Sequence, residues 1–195
     1  VSLAVCSALS DPFKRYVSPY AIVLNVTPGI ALTPIIIAWF GYGMGSKIAL
    51  AAVLCFFPIF VNTLTGLLQR DEDREELFRS VGASNAQIFR KLRVPAALPL
   101  LFAGMKIGLT TALIGAVVAE FSQATEGVGV LMSRFSFQLD MASSLATLLS
   151  MTLIGLILFY SMEFLDDRIV FWRRETRRAA ASRAKARAWN ARMGQ

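Results

Sequence analysis

Long uncharged runs dominate the chain. No charged side chain occurs from Tyr16 to Ser46, from Ile48 to Gln69 or from Met141 to Met162, and a helix crossing a bilayer needs roughly 20 predominantly apolar residues. Spans are predicted over about 18–40, 47–69 and 141–163. A fourth, about 98–121, carries Lys106 and Glu120 near its two ends, where such side chains can reach the headgroup region. Residues 1–9 are apolar but too short to cross, start without Met and follow no positive stretch, so they read as the end of a partial span. A charged island over 71–97 and a basic tail over 168–195 interrupt and close this pattern. The expected fold is an all-α, polytopic transmembrane helical bundle over residues 1–167, incomplete at its N-terminus.

Composition agrees with that reading. Over 195 residues the chain is 55% hydrophobic and only 17% charged, with a mean hydropathy of +0.56, too apolar for an ordinary soluble domain. Its 20 Lys and Arg are unevenly placed. Lys14 and Arg15 precede the first full span, six lie between Arg70 and Arg93, and nine follow from Arg168 onward, whereas Lys47 and Arg134 stand alone in the intervening loops. Cytoplasmic loops collect Lys and Arg. The island and the C-terminus are therefore expected on the cytoplasmic side, and the Lys47 and Arg134 loops outside.

The island has its own helical grammar. Asp71, Glu72 and Asp73 suit the positive end of a helix dipole, and Leu77, Phe78 and Val81 follow at helical spacing on one face. Gly82 can take the left-handed conformation that ends a helix. Ser84 and Gln87 then have capping-box spacing for a second helix, with Ile88, Phe89 and Leu92 as its apolar face, and Pro95 and Pro99 are expected to limit its continuation. Two short amphipathic helices bent at Gly82 could rest on lipid headgroups or dock a cytoplasmic partner.

A family resemblance bears on that choice. Glu76, Gly82 six residues later and the cluster Leu92, Val94 and Pro95 resemble the cytoplasmic EAA loop of binding-protein-dependent ABC importer permeases, Glu-Ala-Ala, three residues, Gly, nine residues, Ile-x-Leu-Pro. Leu77 and Phe78 replace the two alanines, adding bulk while keeping apolar character. The stretches Thr27 to Leu50, Phe56 to Leu67, "GASNAQIFRKLRVPAALP" and Ala119 to Leu131 are similar to the nitrate/taurine/sulfonate subgroup, a pattern shared with thiamine-precursor and riboflavin importers. The resemblance implies a type I importer permease fold in a bacterial inner (plasma) membrane. It also implies a second permease subunit, most simply a second copy, cytoplasmic ABC ATPase subunits and an external substrate-binding protein. Glu76, Leu77, Phe78, Gly82, Ala83, Leu92, Val94 and Pro95 would form the ATPase-coupling loop.

Other chemistry is sparse. No G-x-x-x-x-G-K-[ST] stretch is present, so ATP would be bound by a partner subunit, and no cofactor or catalytic residue is expected here. "GYGMGSK" lacks the third glycine of a dinucleotide loop and reads as a turn between spans. Histidine is absent, and Cys6 and Cys55 lack metal-ligand spacing, so no metal site is expected. Nor is an ionisable group expected at mid-membrane depth, where ion-coupled carriers commonly keep one.

Within the spans, Pro28, Pro34 and Pro58 are expected to kink their helices, set by packing or along a pathway; Asn25, Thr27, Pro28, Pro34, Asn62 and Thr63 are the candidate pathway lining. Gly104, Gly108, Ala112 and Gly115 form a small-residue stripe suited to helix packing within one subunit. Glu120, Glu126, Gly127 and Gly129 are either helix-end residues or, by the resemblance, an outer gate. In the tail, nine positive charges face only Glu175, with Trp172 as an interface marker. Contact with the lipid bilayer is expected there, and no nucleic acid. The sequence thus reads as a permease subunit of an ATP-driven importer for a small solute such as a sulfonate, nitrate or vitamin precursor. The alternative is a non-transporting membrane scaffold or assembly subunit whose island binds lipid or a partner protein.

Overall fold

The computed structural model describes residues 1–69, 71–123 and 126–172. Among them every regular element is helical: α1 Ser2–Leu9, α2 Asp11–Val26, α3 Gly29–Phe40, α4 Met44–Leu68, α5 Glu72–Ser80, α6 Asn85–Ile88, a π-helical turn Phe89–Arg93, α7 Val94–Gln123, α8 Val128–Phe137 and α9 Met141–Ile169. Three helical stretches, Met44–Leu68, Asn85–Phe121 and Met141–Ile169, are long and apolar enough to cross a membrane. The basic tail beyond Trp172 lies outside the described residues; its expected start at 168 falls inside α9.

The stretch expected as one span over 18–40 is two helices. α2 begins earlier, at Asp11, with Pro12 in its first turn, where a missing N–H costs nothing. It meets α3 at 103°. The break follows from Pro28, which disfavours helical geometry at the residue before it. Thr27 is accordingly extended (φ −68°, ψ 123°), and its hydroxyl donates back to the Val23 carbonyl at 2.7 Å, closing the end of α2. Pro34 and Pro58 lie inside continuous helices.

The prolines after the island behave in the opposite way. Pro95 and Pro99 were expected to limit the helix, yet α6, the π turn and α7 run on without a break, and Asn85–Phe121 within them is a single 37-residue membrane-length stretch. For Pro95 the π turn explains this; Pro99 lies inside α7. Val94 donates to the Phe89 carbonyl five residues back, and that wider turn gives the Pro95 ring room where an α-helical carbonyl would clash.

α4 and α7 pack antiparallel along a seam of small residues. A side chain on Gly66 would strike Ala97, one on Gly104 would strike Asn62 and the Pro58 carbonyl, one on Gly108 would strike Ile59, and one on Gly115 would strike Ala51. Without a side chain at these positions the backbones approach closely, which in lipid is a main source of association. α1 and α2 pack on the same helix through Ala4, Ala21, Phe60 and Leu64. α9 lies against α7 and α8 on one side, while Leu149, Leu153, Ile157 and Phe164 remain exposed, as a hydrocarbon-facing helix requires.

Candidate functional site

Charged side chains cluster at the two ends and on one flank of α7. Lys106, placed by hydropathy where it could reach headgroups, instead turns inward: its ammonium donates to Asp166 Oδ2 on α9 at 2.8 Å. Glu120 is likewise paired, with Lys47 of α4. Both pairs keep less than a fifth of their side-chain surface exposed. A charge removed from water is tolerated when paired and hydrogen-bonded.

At one end lies the island. Asp71 caps α5, accepting from the Arg74 N–H. Gly82 adopts φ +77°, a left-handed conformation that most side chains resist. Beyond it Ser84 and Gln87 form the complete capping box, each side chain bonded to the other's backbone N–H. Leu77 and Val81 are exposed, as is Glu76, whereas Phe78, Ala83, Leu92, Val94 and Pro95 are half-buried. The two arms are joined by a bond that the spacing of apolar residues did not reveal. Arg93, in the π turn, donates to both oxygens of Glu75, Nε to Oε1 at 2.7 Å and Nη2 to Oε2 at 3.0 Å. Glu75 is 8% exposed, and such fork-to-fork geometry fixes orientation as well as distance. One signal was present in the sequence: Glu75 precedes Phe78 by one helical turn, so an acid shares the inward face.

At the other end Glu120, Gly127, Gly129 and the Glu126 backbone come together. Lys47, from the first turns of α4, joins them. Its ammonium donates to Glu120 Oε1 and to the Glu126 carbonyl, each at 2.9 Å, while Glu120 Oε2 accepts the Gly129 N–H at 2.8 Å. The Glu126 residue is exposed. A Cβ on Gly127, at φ +139°, would overlap the Glu120 carboxylate.

The six candidate lining residues do not converge on one surface. Thr63 is 1% exposed, its hydroxyl donating to Ile59, and Asn62 donates to the Pro58 carbonyl while packing on Gly104. Asn62 belongs to the α4–α7 seam. Asn25, Pro28 and Pro34 are exposed on α2 and α3, and Thr27 closes α2. Trp172 packs against the cluster of Phe102, Met162 and Val170.

Residues 1–171 match the family described as binding-protein-dependent transport system inner membrane component. The chain belongs to this family. Among similar proteins are a formylaminopyrimidine transport permease protein of Halalkalibacterium halodurans, 35% identical over 90% of this chain and 70% of its own length, and a riboflavin transport system permease protein of Chloroflexus aurantiacus, 33% identical over 82% and 59%. A taurine transport system permease protein of Escherichia coli is 28% identical over 90% of this chain and 64% of its own length. The chain thus spans about three-fifths to seven-tenths of these relatives. The permease is a multi-pass inner-membrane transport component of the type I fold, in the subgroup that includes the sulfonate and taurine proteins, and not an ATPase.

Proposed function

We propose that this permease is the pathway-forming subunit of an ATP-driven importer and that α5, the Gly82 turn and α6 dock a cytoplasmic ATPase. The reading rests chiefly on one observation: exposed Leu77 stands on, and exposed Val81 just after, a short helix whose buried Glu75 is clamped to the π turn opening a membrane-length helix. A helix resting on lipid needs its apolar face against the bilayer but no rigid connection to a span. A docking element needs both an exposed contact face and a firm attachment. The island and the C-terminus would be cytoplasmic, and the Lys47–Glu120 junction external, facing a binding protein. A second permease subunit, most simply a second copy, would complete the pathway. The cargo would be a small organic solute of the kinds named for the relatives, a formylaminopyrimidine, riboflavin, an aliphatic sulfonate or taurine.

The test is capture of the ATPase encoded nearby by the full-length subunit in mild detergent. Wild type should retain it, and Gly82→Pro and Glu76→Lys should lose it while still inserting into the membrane. Equal capture by all three would refute the docking role. In parallel, single cysteines at Tyr42 and Ala83 should react with an impermeant thiol reagent from opposite sides.

A further inference from the structure

We infer that the Glu75–Arg93 pair positions the docking helix for transmission: it couples α5 to α7, so that displacement of the island reaches the Lys47–Glu120–Gly129 junction at the far end of the same helix. This rests on the docking role proposed above, and it assigns that role's mechanical link to two residues outside the Glu76, Gly82, Pro95 pattern.

The geometry favours transmission over mere stabilisation. α5 is nine residues long and joins α6 through a turn at Gly82, around which a Cβ would meet nothing within 4 Å. An unsupported turn of that kind lets α5 move while α6 stays in place. The pair closes that freedom. Two parallel hydrogen bonds between a guanidinium and a carboxylate resist rotation as well as separation. Arg93 is also the last residue of the π turn, so the load enters α7 at its first residue instead of along the Ser84–Ile88 arm. From there the helix continues unbroken to Gln123, and Glu120 near its end holds Lys47 of α4 and the backbone of Gly129 at the head of α8. An effect at α5 therefore has a continuous covalent and hydrogen-bonded route to the opposite end of α7.

Replacing one partner of a buried pair leaves an uncompensated charge, whereas replacing both by apolar groups of similar volume often keeps the packing. That asymmetry supplies the test. The full-length subunit with its ATPase and binding protein would be reconstituted with Cys6→Ser, Cys55→Ala and a reporter, Phe137→Cys, at the exposed end of α8. The reactivity of the reporter toward an impermeant maleimide is compared without nucleotide and after trapping with ATP and vanadate, which requires no knowledge of the cargo. With the native pair the two states should differ at least threefold. Arg93→Met should abolish the difference while ATPase capture and basal hydrolysis persist, and Glu75→Leu combined with Arg93→Met should restore it. Persistence of the difference in Arg93→Met overturns the inference. So does loss of capture in that variant, which would make the pair part of the docking surface itself, and so does failure of the double variant to recover the response. Failure of the native subunit to capture ATPase at all refutes the docking role, and the inference falls with it.

Discussion

The two ends of α7 solve a similar problem with opposite surroundings. Each ties a glycine-containing turn to the helix by a part-buried ion pair, Glu75–Arg93 at one end and Lys47–Glu120 at the other. At the island, Gly82 projects into open space and the neighbouring apolar side chains Leu77 and Val81 are exposed. At the opposite end, Gly127 and Gly129 are pressed against Glu120, which spends both carboxylate oxygens on holding the junction. One turn is offered to its surroundings; the other is folded into the body. The same residue types therefore carry different expectations for mutation.

The largest contrast should lie between two glutamates. Glu120→Leu takes the carboxylate from the Lys47 ammonium, which keeps the Glu126 carbonyl, and frees the Gly129 N–H, and the loss should be about 3 kcal/mol, a little under a fully buried pair because some exposure remains. Glu76→Leu, at an exposed site, should fall within about 0.5 kcal/mol of wild type. Thermal unfolding in detergent measures both, and equal melting temperatures would erase the distinction between the ends. The glycines sharpen it. Gly127→Ala combines a positive φ with overlap on the Glu120 carboxylate and should cost about 2–3 kcal/mol, against about 1 kcal/mol for Gly82→Ala, where only the backbone conformation is strained.

A smaller stability effect, with a larger functional one, is expected at the exposed island face. Leu77→Ala with Val81→Ala should change unfolding by less than about 1 kcal/mol yet reduce ATPase capture at least tenfold; unchanged capture would assign the contact to another face. The smallest effect concerns Asp140, which caps α9. Hydrogen bonds from the Ser143 hydroxyl and N–H hold its carboxyl below the ordinary value of 3.8. Because the folded-state value is depressed, its contribution is present above the ordinary range and is lost as pH falls through the lower folded value. The stability difference between wild type and Asp140→Ala should accordingly be constant near neutrality and shrink below about pH 4. A difference that grows in acid would contradict the cap.

These contrasts also mark what the sequence could convey. Uncharged length alone located α4 and α9, and the Ser84–Gln87 spacing located the start of α6, because each is set by residues close together in the chain. Pro28 announced a lost donor but not a 103° break, whose size depends on where each half packs; α3 settles with Gly29 against Leu54 of α4. Pro95 and Pro99 were misleading: the π turn that makes room for Pro95 is a register choice within one helix, and Pro99 lies inside α7 without ending it. The ion pairs were the least legible part of the site. Their partners lie 18, 60 and 73 residues apart, and no periodic pattern connects such positions. Lys106 was most informative as an anomaly: a cation inside an apolar run implies an acid somewhere, without naming Asp166.

The small-residue seam between α4 and α7 restricts how this pair can shift. A slip of one residue along an α-helix advances it about 1.5 Å and rotates it by about 100°, which would carry Gly104 and Gly108 away from Asn62 and Ile59 and drive bulkier side chains into the gap. The next alignment with a comparable fit is close to a full turn distant, about 5.4 Å. Gradual sliding is thereby penalised at every intermediate setting. The two helices are phase-locked against sliding, so a displacement along the axis of one carries the other with it.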